Sequence, residues 1–361
     1  MNYAIILAGG IGSRFWPLSR ESEPKQFLDI FSRKPMLEQT ILRVSRLIDK
    51  KNIYIATNKT YRNKITNFSK KLDIPGQNIL FEPIGKNTLA PIGLITRKIY
   101  DKDKEAVILV LPSDHYIKNE SRFIKILTQA ISVAKKGFIV TLGIVPDKPE
   151  TGYGYIKINS KSLPTGQAGK IRNSKVYKVE RFIEKPALAK AKNFIKNKSY
   201  FWNSGMFVFR ADIMLQEIKK FSPHNYGIIN KIKENKSLNK LWKRFSSLSI
   251  DYAIMEKTYK MALIPADFGW SDLGSWQAIE SLPAGQAGFT KKNKNGNIFK
   301  GCCVDIGSKN TLAWSSGRLL ATVGLNNIIV VETKDALLVC AKDKTQQIKK
   351  LVKILKKKFK D

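Results

Sequence analysis

The chain has 361 residues, 43% of them apolar, with 64 Lys or Arg against 29 Asp or Glu, a formal net charge of +35 at neutral pH. That composition supports one large or two modest globular domains; it lacks the basic lead and long apolar core of a signal peptide and any run of about 18 apolar residues able to span a bilayer. Three cysteines, two of them adjacent at Cys302 and Cys303, and two histidines, His115 and His224, exclude a disulfide framework, a paired-cysteine zinc site and chemistry built on several imidazoles.

In chain order, short apolar runs at 3–8, 52–57, 78–81 and 106–111 read as strands. Between them Leu37, Ile41, Val44 and Ile48 recur at helical spacing, as do apolar residues within 88–100 and 123–134. This alternation predicts a mostly parallel sheet covered by helices, with ligands at the carboxyl ends of the strands. Past residue 138 the pattern mixes strands at 154–158, 176–183 and 206–209 with helices at 187–195 and 213–221, an elaboration of the same domain.

From 297 to 341 helices give way to short β-rich pieces punctuated by Gly301, Gly307, Gly317 and Gly324, which predicts a small β domain. The tail at 344–360 aligns Ile348, Leu351, Val352 and Leu355 on one helical stripe, suited to docking on the β domain or on a second subunit. The boundaries drawn are 1–288, 289–341 and 342–361. Residues 162–169 read SLPTGQAG and 281–288 read SLPAGQAG, a repeat placed where exposed insertions are tolerated.

The lysines lie along the whole chain, mostly beside Asn and Ile, rather than in a stripe. A nucleic-acid-binding reading therefore has only net charge behind it, and neither nucleic acid nor a membrane is an expected partner. The first strand ends in Gly9-Gly10-Ile11-Gly12-Ser13-Arg14, a turn whose backbone N–H groups can approach phosphates, followed by a planar charged donor. A dinucleotide fingerprint would need glycine at Phe15 and an acid near Thr57 or Asn58, and both are missing.

GGIGSRFWPLSR at 9–20 followed by PKQFL at 24–28 resembles the signature of the sugar-nucleotide pyrophosphorylases, in their mannose-1-phosphate guanylyltransferase branch. EPIGKNT at 82–88, LPSDH at 111–115, TGYGYI at 151–156, FIEKP at 182–186, WNSGMF at 202–207 and GWSDLGSW at 269–276 follow in the expected order. NTL at 310–312 and VVETKDALLV at 330–339 extend the resemblance into the β-rich part. The chain departs from the pattern at Phe15, where leucine is more usual. No isomerase domain like that of longer relatives is expected.

The resemblance implies an α/β fold, a Rossmann-like nucleotidyltransferase domain with a mixed, mostly parallel sheet followed by a short left-handed β-helix and a terminal helix, in a cytoplasmic enzyme that makes GDP-mannose from GTP and mannose 1-phosphate. It implies Arg14 and Lys25 on the triphosphate and reacting phosphate, roles suited to a fixed fork and a mobile point charge. Asp114 and Asp272 would ligate Mg²⁺ or another divalent cation. Gly9, Gly10, Gly12, Glu82 and Asn87 would hold the nucleotide; Gly152, Glu184, Lys185 and Asn203 would hold the sugar phosphate. A homodimer through the C-terminal region is the expected assembly. Another hexose 1-phosphate or NTP, or an inactive regulatory relative, are the alternatives.

Overall fold

The computed structural model describes residues 1–30, 32–162, 175–232, 235–281 and 289–359. Both SLPxGQAG copies lie outside these residues, apart from the backbone of their leading serines. The chain forms two compact units: Met1–Gly9, Ile41–Pro112 and Asn119–Trp270 in the first, Gly10–Thr40, Ser113–Lys118 and Ser271–Asp361 in the second. The division cuts across the boundary drawn at 288, because the Gly10–Thr40 and Ser113–Lys118 segments cluster with the C-terminal third.

The first unit is built on β1 (Asn2–Leu7), β2 (Ile53–Asn58), β3 (Ile79–Glu82), β4 (Val107–Pro112), β5 (Ile139–Ile144), β6 (Tyr155–Ser162), β7 (Tyr177–Ile183), β8 (Tyr200–Arg210) and β9 (Met261–Ala266). They form one sheet in the order β3-β2-β1-β4-β8-β5-β9-β7-β6. The first four strands are parallel, as in the Ala4–Ile53 and Ala4–Leu109 pairs. Beyond them the sheet is mixed, as expected, but the expectation that it is mostly parallel is corrected: β5 and β9 are parallel, while the remaining pairings are antiparallel. β8 runs antiparallel to β4 and β5, and β7 runs antiparallel to its neighbours β6 and β9. At eleven residues, β8 is long enough to pair with β4 and β5 along one stretch and with β6 along another.

The buried faces explain why the pattern was readable. Ile108 and Val110 of β4, Phe207 and Phe209 of β8 and Leu263 of β9 share one core with Leu89, Ile92 and Ile95 of the helix Leu89–Lys102. Each such side chain contributes about 1.5–3 kcal/mol by leaving water. The pairing of β5 with β8 slips between Thr141 and Gly143, opposite Asn203. Such bulges re-aim side chains.

In the second unit, Ile298–Lys300, Leu312–Trp314 and Ile328–Glu332 stack as parallel strands, and Cys303–Ile306 pairs in parallel with Leu320–Val323. Parallel strands joined this closely are successive coils of a β-helix-like stack. The coils turn where positive backbone angles recur at equivalent places: Gly296, Asn310 and Asn327 at φ 79, 48 and 55°, and Gly307 and Gly324 at 71 and 63°. Glycine and asparagine are the residues that tolerate this conformation. Trp314, Leu312, Ile329 and Val331 pack with Trp276, Phe289 and Phe15 in the unit's core. The terminal helix Ile348–Phe359 buries Ile348 and rests Val352 on that core, while Leu351 and Ile354 stay exposed, so only part of the expected stripe is covered.

Candidate active site

The second unit carries an open cavity of about 310 Å³ lined by Arg14, Lys25, Asp114 and Asp272 among others. Gly12 lines it, with a φ of 70° that favours glycine and a Cβ that, if present, would fall 2.3 Å from the Cβ of Lys25. Lys25 is therefore pressed against the glycine-rich turn and is 3% exposed. Its Nζ donates to Asp114 Oδ2 at 2.7 Å and to the Asp272 carbonyl at 2.9 Å, and sits 5.4 Å from the centre of the Phe15 ring. A mobile point charge is the wrong description of Lys25, since burial and two acceptors hold it in place. Burial alone would raise the Asp114 carboxyl, but the Lys25 charge, His115 and the Lys25 hydrogen bond outweigh it and hold it below the usual range.

Arg14 makes one long hydrogen bond, from Nη1 to the Gly274 carbonyl at 3.4 Å, and forms no ion pair among the described residues. Asp272 Oδ1 accepts from the Gly274 N–H at 2.9 Å, and a Cβ at residue 274 would lie 2.7 Å from its Oδ2. The intervening Leu273 has φ 49°, a conformation held only where its surroundings enforce it. Phe15 is fully buried against Trp276, with ring centres 5.1 Å apart, and the Trp276 Nε1–H donates to the Trp16 carbonyl at 2.9 Å. The departure from the usual leucine thus fills core. Two carboxylates bordering one cavity suit a hard divalent ion, which takes few protein oxygens and keeps positions for phosphate and water. Among the described residues no group of three His, Cys, Asp or Glu converges on a metal position.

Gly10 leaves open space where a Cβ would stand. In the first unit, a Cβ on Gly9 would be 3.4 Å from Glu82 Oε1. Glu82 closes β3 and is 6% exposed, and burial pushes its carboxyl up to about 7. Asn87, at φ 61°, turns its Oδ1 to accept the Thr88 N–H at 3.0 Å, just before the helix Leu89–Lys102.

A further group in the first unit brings Glu184, Lys185 and Asn203 together. Lys185 sits at φ 47° and donates from Nζ to Glu184 Oε1 at 2.6 Å. Asn203 Nδ2 donates to Asp251 Oδ1 at 3.0 Å, and its Oδ1 accepts from the Gly205 N–H at 3.1 Å. Asp251 opens the helical turn Asp251–Met255, and burial, then the Glu184 charge, push its carboxyl up to about 6. Gly154 belongs here too, for a Cβ on it would lie 2.5 Å from Glu184 Oε2. Gly152 does not join the group through its N–H, which donates to Glu150 Oε1 at 3.0 Å.

Asp251, Gly154 and Gly274 were missed in the sequence. Asp251 had a signal, as the one acid within the apolar stretch 248–255.

The family model described as nucleotidyl transferase matches residues 3–285, and one described as a MannoseP isomerase/GMP-like beta-helix domain matches 301–355. The chain is 36% identical to "Mannose-1-phosphate guanylyltransferase 2" of Escherichia coli O157:H7, over 98% of this chain and 73% of that protein. It is 39% identical to "Xanthan biosynthesis protein XanB" of Xanthomonas campestris pv. campestris, over 98% and 73%. A crystal structure described as a mannose-1-phosphate geranyltransferase from Thermus thermophilus is 29% identical, with a TM-score of 0.86 over 98% of this chain and 99% of that one.

Proposed function

We propose, from the premise that this chain belongs to the nucleotidyl transferase family, that it transfers GMP from GTP to mannose 1-phosphate, forming GDP-mannose and releasing pyrophosphate. The observation that carries this reading is the single cavity shared by Arg14, Lys25, Asp114 and Asp272, residues up to 258 positions apart in sequence (272 minus 14). A sugar phosphate is an ionised nucleophile at neutral pH, because its second pKa is about 6, so no general base is required. A phosphate oxygen attacks the α-phosphorus in line, and the bond from that phosphorus to the bridging oxygen breaks as pyrophosphate leaves. The obstacle is electrostatic, and fixed cations answer it.

In this reading Arg14 and Lys25 hold the triphosphate and the reacting phosphate, with the N–H groups of Gly10 and Gly12 beside them. Asp114 and Asp272 would hold Mg²⁺, which when bound supplies positive charge to phosphate oxygens. Gly9, Glu82 and Asn87 serve the nucleoside, where the Glu82 carboxylate suits the adjacent N–H donors of guanine. Glu184, Lys185 and Asn203 serve the hexose and its phosphate, with Gly154 making room for the Glu184 carboxylate. The parallel half-sheet supports a Rossmann-like catalytic domain, and the stacked coils support a left-handed β-helix after it. The exposed Leu351 and Ile354 of the terminal helix support a homodimer through that region. No helix among the described residues is long and apolar enough to cross a membrane, and we place the enzyme in the cytoplasm.

The test is pyrophosphate release with Mg²⁺, the four NTPs and several hexose 1-phosphates. Preference for GTP with mannose 1-phosphate is expected; background release with that pair would overturn the assignment.

A further inference from the structure

We propose that Asp251 is a positioning residue of the hexose subsite: it locks the Asn203 amide so that one N–H donor stands with the acceptor oxygen of Glu184, giving the subsite a fixed hydrogen-bonding polarity. The proposal rests on the sugar-binding role given above to Glu184 and Asn203.

Three observations lead to it. A backbone N–H can only donate, so the Gly205 N–H at 3.1 Å identifies the Asn203 oxygen as Oδ1. The amide nitrogen then faces Asp251 Oδ1 at 3.0 Å, and an ionised carboxylate can only accept. One Nδ2–H is consumed by this contact, and the other remains for a ligand. Finally, the Glu184 side chain is nine-tenths buried, at 10% exposure, and its Oε1 is taken by Lys185 at 2.6 Å, while no donor among the described residues reaches Oε2.

A buried acceptor without a donor is costly to the free protein, and a hydroxyl donating to it removes that cost. The cluster thus asks for one hydroxyl that donates, to Glu184, and one hydroxyl oxygen that accepts, from Asn203. Protonating Asp251, or replacing it by an amide, removes the acceptor-only partner of Nδ2 and leaves the Gly205 N–H and the Thr141 hydroxyl, both on Oδ1, to hold the amide, so Asn203 turns more readily. The charged and titratable groups around Asp251 are Glu184 and Lys185, with Tyr252 near Lys185 and Glu256 accepting from the Glu184 N–H.

The test is Asp251→Asn, which keeps size and removes the acceptor-only carboxylate. The expected result is a rise of about tenfold in KM for mannose 1-phosphate, with kcat and the KM for GTP within about twofold. Below about pH 6, where Asp251 takes up its proton, the ratio of variant to wild-type KM should fall toward unity. The substrate's own phosphate ionisation is common to both proteins and cancels in that ratio. An equal KM at all pH values, or a fall in kcat with KM unchanged, would overturn the proposal.

Asp251→Glu keeps an acceptor-only group and should recover part of the loss. Unfolding of both variants, shown by lost circular dichroism, would make Asp251 structural and also overturn it. The same ratio is read as Kd by calorimetry, so failure of wild-type turnover with mannose 1-phosphate sinks the functional reading separately.

Discussion

Two acidic clusters, one in each unit, treat their carboxyl groups in opposite ways. In the second, charge is settled internally: Lys25 and Asp114 meet at 2.7 Å, and the Asp114 carboxyl lies below its usual range. In the first, Glu82 and Asp251 are pushed up to about 7 and about 6, chiefly by burial, and Glu184 keeps an oxygen that no donor among the described residues reaches. A self-paired site is stable before substrate arrives and needs only to redirect its cations. An unpaired one is held by the fold at some cost, which a ligand carrying the missing donors relieves.

The largest effect should come from breaking the paired side. Lys25→Met keeps the chain length that fills the space beside Gly12 and deletes the ammonium between Asp114 and the Asp272 carbonyl. We expect kcat to fall by about 10²–10³, the scale of one lost charge-stabilising group in an active site. The Asp114 carboxylate then loses its counter-charge, so a stability loss of about 1–3 kcal/mol accompanies it. Both are read from pyrophosphate release and urea unfolding. A kcat within threefold of wild type would mean that the paired cavity is scaffold rather than machinery.

The unpaired side is sharpened by pH. An unfolded Glu82 loses its proton near 4.5, whereas the folded one holds it to about 7. Between those values the folded state binds more protons, so stability must fall as pH rises through the window and level off above it. The drop should reach about 3 kcal/mol. Glu82→Gln has no proton to lose and should flatten this portion of the profile, measured as the urea midpoint of the ligand-free enzyme. A Glu82→Gln profile that keeps the full decline would show that the carboxyl is hydrated and that the contrast between the units is overstated. GTP should narrow the difference between the two proteins if guanine donors meet the carboxylate.

These contrasts were unevenly legible in the sequence. β1, β2 and β4 announce themselves because strands buried on both faces are continuous apolar runs, the half-buried β3 is a shorter apolar run, and the bounds of all four were read to within a residue. β5 and β9 went unread, although Ile139–Ile144 and Met261–Ala266 are as buried as the rest. Gly143 in one and Pro265 in the other blur the strand signal. The direction of β8 could not be read, since pairing partners are set by packing rather than by local pattern.

At the site, motif order brought forward Arg14, Lys25, Asp114 and Asp272, but nothing local says that Lys25 is buried or that Gly152 spends its N–H on Glu150. Such facts depend on contacts between segments far apart in the chain. The β-coils were foreseen as β-rich, yet their corners at 296, 310 and 327 are spaced by 14 and then 17 residues, too irregular to stand out as a repeat (310 minus 296, 327 minus 310).

Those corners give the smallest of the expected effects and test the scaffold side of the comparison. Asn327 has φ 55° and precedes the strand Ile328–Glu332, and the Lys342 N–H donates to its carbonyl at 2.9 Å. Alanine at this position keeps a Cβ but lacks the short polar side chain that makes the left-handed region tolerable, and should cost about 1–2 kcal/mol. Glycine has no Cβ to strain, so Asn327→Gly should cost less than Asn327→Ala despite the greater freedom it gives the unfolded chain. Asn327 lies outside the cavity lining, so kcat and both KM values should hold in either variant while the unfolding midpoint moves. If alanine were as well tolerated as glycine, the repeated positive angles would be a by-product of coil stacking, and the second unit would owe its order to its aromatic core alone.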